Sequence, residues 1–221
     1  VPDLSCPIET FPEMERLAPV IVVFLKKIAG LDVSTDRETA LQSLKSMHEA
    51  TLANEGFTIP RLARAEQVHG NGVAIVDKNS PLVSPGCDAL VTTDRDIGLV
   101  IYVADCAAVY IADRHGRGIA IAHSGRKGTE LGIVPKTIET LCHSAGADPS
   151  DLVLQISPCI RPPHYEIDFA AEIRKQATNA GVRDILDDFR CTASHPEEYY
   201  SYRLEKGRTG RLLAAMRYRR T

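Results

Sequence analysis

Gly98-Leu99-Val100-Ile101-Tyr102-Val103-Ala104-Asp105-Cys106-Ala107-Ala108-Val109-Tyr110-Ile111-Ala112 carries the longest apolar run in the chain, and its reading decides the fold. The run is too short for the roughly 20 residues that a membrane-spanning helix needs. It is also interrupted by the charge of Asp105. Its β-branched and aromatic content predicts a strand buried in a sheet. Asp88-Ala89-Leu90-Val91-Thr92-Thr93 on one side and Gly118-Ile119-Ala120-Ile121-Ala122 on the other read as further strands. Polar turns at Asp94-Arg95-Asp96 and Arg114-His115-Gly116 separate them, and together these runs form the expected core of the sheet.

Working outward, Val20-Ile21-Val22-Val23-Phe24 and Leu152-Val153-Leu154-Gln155-Ile156 have the same strand character, and Ala65–Gly70 and Val73–Val76 are two short strand-like pieces meeting at Asn71-Gly72. Apolar positions at Ala40, Leu41, Leu44, Met47 and Leu52 recur at helical spacing, which predicts an amphipathic helix over 36–54. Residues 132–141, with Pro135 in the first turn, residues 169–180 and a basic segment over 208–219 read as three more helices. Strands and helices interleave without strict βαβ regularity. No repeat, low-complexity tract or linker divides the chain, so residues 1–221 are expected to form a single domain.

With 221 residues, of which 44% are hydrophobic and 25% charged, the composition is that of a globular protein. Burial of roughly 70% of the unfolded surface leaves room for a core and an enclosed pocket. The net charge of -3 provides no global field for nucleic acid, and Arg217, Arg219 and Arg220 read as a solvated tail. The opening Val1-Pro2-Asp3-Leu4 lacks the basic start and apolar run of a secretory signal, so the expected location is cytoplasmic, with no membrane partner. The six cysteines, at 6, 87, 106, 142, 159 and 191, form no CxxC pair and are read as free thiols.

Catalytic zinc sites take three protein ligands and keep a fourth position open. Cys106 follows Ala104-Asp105 within an apolar strand, and His123 ends a strand before Ser124-Gly125; His69, beside a turn, can supply a third ligand. Separations of 37 and 17 residues make no local metal signature. A lone cysteine in an apolar strand is more often core packing, and a strand-end histidine is more often only hydrogen-bonded. Asp105 shifts that balance, because a carboxylate in the most apolar segment is costly unless it is paired or functional. Asp88 reads as a strand-start turn residue.

An ordered set of short motifs adds a resemblance. Gln67-Val68-His69-Gly70, Asp88-Ala89-Leu90-Val91-Thr92, Ala104-Asp105-Cys106, His123-Ser124-Gly125, Pro158-Cys159-Ile160, Tyr165-Glu166-Ile167, Tyr200-Ser201-Tyr202-Arg203 and Thr209-Gly210-Arg211 occur in the order seen in the YfiH-like laccase-domain family. That family includes purine nucleoside phosphorylases and carries a multicopper polyphenol oxidase label. The resemblance implies an α+β fold, an α/β sandwich of mixed β-sheets flanked by helices and of cysteine-hydrolase type. It implies His69, Cys106 and His123 as ligands of Zn2+, with copper less favoured. It makes Asp105, Cys106 and His123 the catalytic candidates; Arg126 and Arg203 are read as the substrate-binding cations, orienting phosphate toward the sugar.

The activity so implied is phosphorolysis of purine nucleosides, with adenosine deamination and methylthioadenosine cleavage at the same site. Nucleoside and phosphate are then the partners of a monomer or homodimer. Two other classes stand beside it: a cell-wall-precursor amidase using Cys106 and His123 as a thiol hydrolase, and a non-catalytic binding module. Polyphenol oxidation is disfavoured, since seven histidines with no His-x-His pair suit a multicopper centre poorly. Where the family usually reads His-Ala-Gly-Trp-Arg-Gly, this chain has His123-Ser124-Gly125-Arg126-Lys127-Gly128. The family's Phe-Thr-x-Arg is only echoed by Phe24-Leu25-Lys26-Lys27.

Overall fold

The run from Gly98 to Ala112 makes two strands in two different sheets. The break falls at Ala104-Asp105-Cys106, where Asp105 adopts the left-handed φ of 80° that asparagine and aspartate tolerate better than most side chains. A computed structural model describes residues 6–220; the reading of Val1–Leu4 lies outside the described residues. In chain order the elements begin with β1 (Ile8–Thr10), α1 (Pro12–Leu17), β2 (Val20–Leu25), α2 (Arg37–Asn54), β3 (Leu62–Ala65) and β4 (Val73–Ile75). There follow β5 (Val83–Ser84), β6 (Ala89–Thr92), β7 (Gly98–Val103), β8 (Ala107–Asp113), β9 (Ile119–Ser124) and α3 (Arg126–Glu130). The chain closes with α4 (Ile133–Ala145), β10 (Leu152–Ile156), α5 (Phe169–Asn179), β11 (Asp184–Asp187) and β12 (Leu212–Tyr218).

Two six-stranded mixed sheets result, ordered β1-β2-β12-β7-β3-β5 and β11-β10-β8-β9-β6-β4. Their packing follows from the period of two along β8. Ala108, Tyr110 and Ala112 enter the core between the sheets, whereas Ala107, Val109 and Ile111 enter a second core beneath α4 and α5. Strands buried on both faces lack polar alternation, which is why the sequence showed a continuous apolar run. Tyr110 ties the sheets together by donating its hydroxyl to the carbonyl of Val23 at 2.9 Å. Helix α2 starts at Asp36, whose carboxylate accepts from the N–H groups of Glu38 and Thr39, and buries Ala40, Leu44 and Leu52.

The expected α+β class, the helix over 36–54 and the strand over 152–156 are observed, and Pro135 sits in the first turn of α4. One expectation is overturned at the C-terminus and a second is modified. The segment read as a basic helix over 208–219 contains β12, inserted between β2 and β7. Leu212–Met216 is buried throughout, and ladders on both sides override the helical preference of Leu, Ala and Met. Of the three arginines read as a solvated tail, Arg219 and Arg220 are solvent-exposed and Arg217 is half-buried, but all three are tied to the fold by hydrogen bonds. Arg217 donates to the carbonyl of Glu55, Arg219 to that of Glu15 and Arg220 to the Thr58 hydroxyl, at 2.8, 2.7 and 2.9 Å. The strand-like reading of 65–70 also fails beyond Ala65, because Gln67 and His69 both have positive φ. All six cysteines are free thiols. No helix among the described residues is long and apolar enough to cross a membrane.

Candidate functional site

Three chain segments meet where β7 crosses to β8. Antiparallel pairing of β8 with β9 sets Ala108 opposite His123 and Ala107 opposite Ser124, which brings Cys106 beside the strand end that carries His123. The third segment is the loop after β3. Its backbone is held by Gln67, whose side-chain amide bonds the N–H and C=O of Tyr102 at 2.9 and 2.6 Å. This places His69 against His123, with ring centroids 4.8 Å apart and edge to face. One ligand atom from each of His69, Cys106 and His123 lies within 4.8 Å of the others. Two imidazoles and a thiol converging from separate elements form a donor set that can hold a transition metal ion.

Asp88 organises this cluster. It heads β6, fully buried, and accepts from the backbone N–H groups of Val68, His69 and Gly70 at 3.2, 2.9 and 2.7 Å. The same carboxylate takes Nδ1–H of His123 at 2.9 Å, which leaves Nε2 free to act as a ligand atom. Sequence reading passed over Asp88 as a turn residue. The cost of burying a carboxylate, applied to Asp105, singles out Asp88 equally well at the head of the apolar run Ala89–Thr92.

Electrostatics fit ligand chemistry. Burial opposes ionisation of Cys106, yet His123 and His69 beside it outweigh burial and bring the thiol down to about 6. Burial likewise opposes the charge on His123, but the Cys106 thiolate and Asp88 prevail and raise it to about 9. Desolvation of Asp88 is outweighed by its hydrogen bonds from His123 and Gly70, which hold the carboxyl below its usual range. Close packing sharpens the cluster: a Cβ on Gly125 would lie 2.4 Å from Cys106 Sγ.

The cluster opens into a cavity of about 880 Å³. Asp105, Arg126 and Arg203 all lie on its wall. The Asp105 carboxylate is engaged by the hydroxyls of Thr192 and Ser201 and by the N–H of Arg203, at 2.7, 3.1 and 2.7 Å. Arg126 pairs with Glu130 at 2.9 Å and lies near Tyr165; Arg203 pairs with Glu166 at 3.5 Å and stacks over the Tyr165 ring at 5.5 Å. Lys127 is not on the cavity wall. Lys26 and Lys27 face elsewhere, paired with Glu198 and Glu205 at 2.5 and 3.2 Å. Aromatic wall residues Tyr102, Tyr165, Phe169 and Tyr202 were not singled out from sequence as site residues, nor were the cations Arg37, Lys206 and Arg211.

The family model described as multi-copper polyphenol oxidoreductase laccase matches residues 25–171 and 164–219. Purine nucleoside phosphorylases of Streptomyces coelicolor and Deinococcus radiodurans are 30% and 31% identical, covering 81% and 85% of this chain and 80% and 82% of their own. Among solved structures, the hypothetical protein YfiH of Bacillus licheniformis superposes with a TM-score of 0.84 at 18% identity, covering 97% of both chains. YlmD of Geobacillus stearothermophilus gives 0.78 at 24% identity, covering 92% of this chain and 93% of its own. At such identities the two structures bear on the fold alone.

Proposed function

The chain belongs to the multi-copper polyphenol oxidoreductase laccase family, the YfiH-like family its motifs resemble, and from that premise we propose that it is a zinc-dependent purine nucleoside phosphorylase. The observation that carries this reading is the convergence of His69, Cys106 and His123 at a cavity walled by aromatic rings and cationic side chains. Relatives named purine nucleoside phosphorylase support it.

In phosphorolysis a phosphate oxygen bonds to the sugar's anomeric carbon as the glycosidic C–N bond breaks. The electron pair leaves on the purine, and free base and ribose 1-phosphate result. His69, Cys106 and His123 would hold the metal, which would supply Lewis-acid stabilisation of developing negative charge. The other residues bind and orient. Tyr165 and Phe169, edge to face at 6.0 Å, offer a stacking wall for a purine, braced by Arg126 and Arg203. Cationic donors hold the phosphate against the sugar and reduce its repulsion from the departing base. Asp105, with its oxygens engaged, orients the Arg203 segment. Adenosine deamination and methylthioadenosine cleavage are assigned to the same cavity, because both substrates present the same purine.

One observation favours a second reading. The Cys106 thiolate beside a protonated His123 is the pair a cysteine hydrolase uses. Chelation separates the two: removal of the metal abolishes activity of the phosphorylase and spares or frees a thiol nucleophile.

The test is a mass-spectrometric time course of zinc-loaded protein with inosine or adenosine, with and without phosphate, beside a His69→Ala variant. Phosphate-dependent release of free base that is lost in the variant supports the proposal. Folded, zinc-loaded protein that turns over neither nucleoside refutes it.

A further inference from the structure

Five cationic side chains line the cavity, and they fall into two groups by their partners. Arg126 and Arg203 are neutralised by Glu130 and Glu166, and both lie against Tyr165. Arg37, Lys206 and Arg211 have no carboxylate oxygen within ion-pair distance among the described residues. Only Asp36 and Asp105 contribute acidic groups to the wall, and both are already engaged. Asp36 caps α2 and accepts from the hydroxyl of Thr39 at 2.7 Å, while Asp105 is bound by Thr192, Ser201 and Arg203.

Arg211 is the unusual member. It is only 9% exposed, a degree of burial at which a guanidinium is costly unless an anion faces it. Its Nη1 donates to the carbonyls of Thr209 and Gly210, both at 2.9 Å, which fixes the plane of the group. Its remaining N–H donors have no hydrogen-bond partner among the described residues, and the side chain lines the cavity. The backbone beneath it is rigid, since Gly210 lies so close to the Tyr200 ring that a Cβ would approach it to 2.6 Å. Arg37 is near enough that its charge, after burial, contributes to depressing the Arg211 pKa. Cys106 and Asp105 also lie within electrostatic range, and their charges act in the opposite direction. Two arginines brought together with neither paired to a carboxylate, one of them buried and oriented, make an oxyanion cradle.

We infer that Arg211, with Arg37 and Lys206, forms the inorganic phosphate subsite of the cavity, and that Arg126 and Arg203 serve the nucleoside side at Tyr165. The assignment of phosphate as co-substrate rests on the phosphorylase reading; the oxyanion cradle itself does not.

Equilibrium dialysis of the full-length protein against radiolabelled orthophosphate, without nucleoside, tests the subsite directly. Arg211→Gln and Arg37→Ala are each expected to weaken phosphate binding tenfold or more, and in turnover to raise the KM for phosphate far more than that for nucleoside. Arg126→Ala is expected to raise the nucleoside KM instead. Arg37 is exposed, so its variant decides the matter if Arg211→Gln fails to fold. Wild-type protein that binds no phosphate overturns the inference, as does phosphate binding that survives in both Arg211→Gln and Arg37→Ala. Phosphate binding lost in those variants, in a protein that performs no phosphorolysis, supports the subsite and refutes the phosphorylase reading.

Discussion

Asp88 Oδ1 lies 2.9 Å from Nδ1 of His123 and 2.9 Å from the backbone nitrogen of His69, so one buried carboxylate positions two of the three candidate ligands. Replacement by Asn keeps the shape and turns an acceptor into a donor facing N–H groups. Asp88→Asn is therefore expected to lower zinc affinity by about 10–100-fold. Competition with a chromophoric chelator reads this; an affinity within twofold of wild type refutes the positioning role.

Gly125 is expected to tolerate no side chain. An alanine Cβ would stand 2.4 Å from Cys106 Sγ, so either the thiol or the start of α3 must move. Displacement of a reacting or ligating group by about 1 Å costs on the order of 100-fold in rate, and overpacking costs about 1–3 kcal/mol in stability. Gly125→Ala is thus predicted to lose most activity with a modest fall in Tm; full activity contradicts the packing described.

Met216 separates the strand from the helix that sequence suggests at the C-terminus. It is fully buried in β12, opposite Val22 on one side and Leu99 on the other. Met216→Ala is expected to cost about 2–5 kcal/mol in chemical denaturation, as for other large-to-small core changes. A loss under 0.5 kcal/mol, about what a surface substitution gives, contradicts a central strand.

Asp113 supplies a pH test away from the candidate site. Its buried carboxylate is opposed by desolvation, but Arg117 at 2.6 Å and the N–H groups of Arg117 and His115 prevail and hold its pKa below the usual value. A depressed folded-state pKa contributes stability above the unfolded value of about 3.9, and that contribution disappears as pH falls through the folded value. The Tm gap between wild type and Asp113→Asn is expected to be widest near neutrality and to narrow below about pH 4. A gap independent of pH between 7 and 3 argues against an ionised Asp113.

Local signals carried further for some elements than for others. The helix over 36–54 has its cap and its buried positions in the sequence, and 152–156 is a strand by composition. The segment Leu212–Met216 is rich in helix formers, and only its place between β2 and β7 makes it a strand. The same holds for Asp105: a charge in an apolar run marks the position as special, but not that the chain leaves one sheet there and enters another.

By itself the sequence determined most strand and helix positions and, through the resemblance carried by ordered short motifs, the α+β class and the candidate residues His69, Cys106 and His123. Residue type and local periodicity are properties of adjacent positions, so they are legible without coordinates. Only the tertiary structure decided that these three converge, that Asp88 holds two of them, and that Arg211 and Arg37 share a wall with neither paired to a carboxylate. Those relations join residues 19 to 174 positions apart, and they are set by which strands pair and which faces pack, information that no local window of the chain contains.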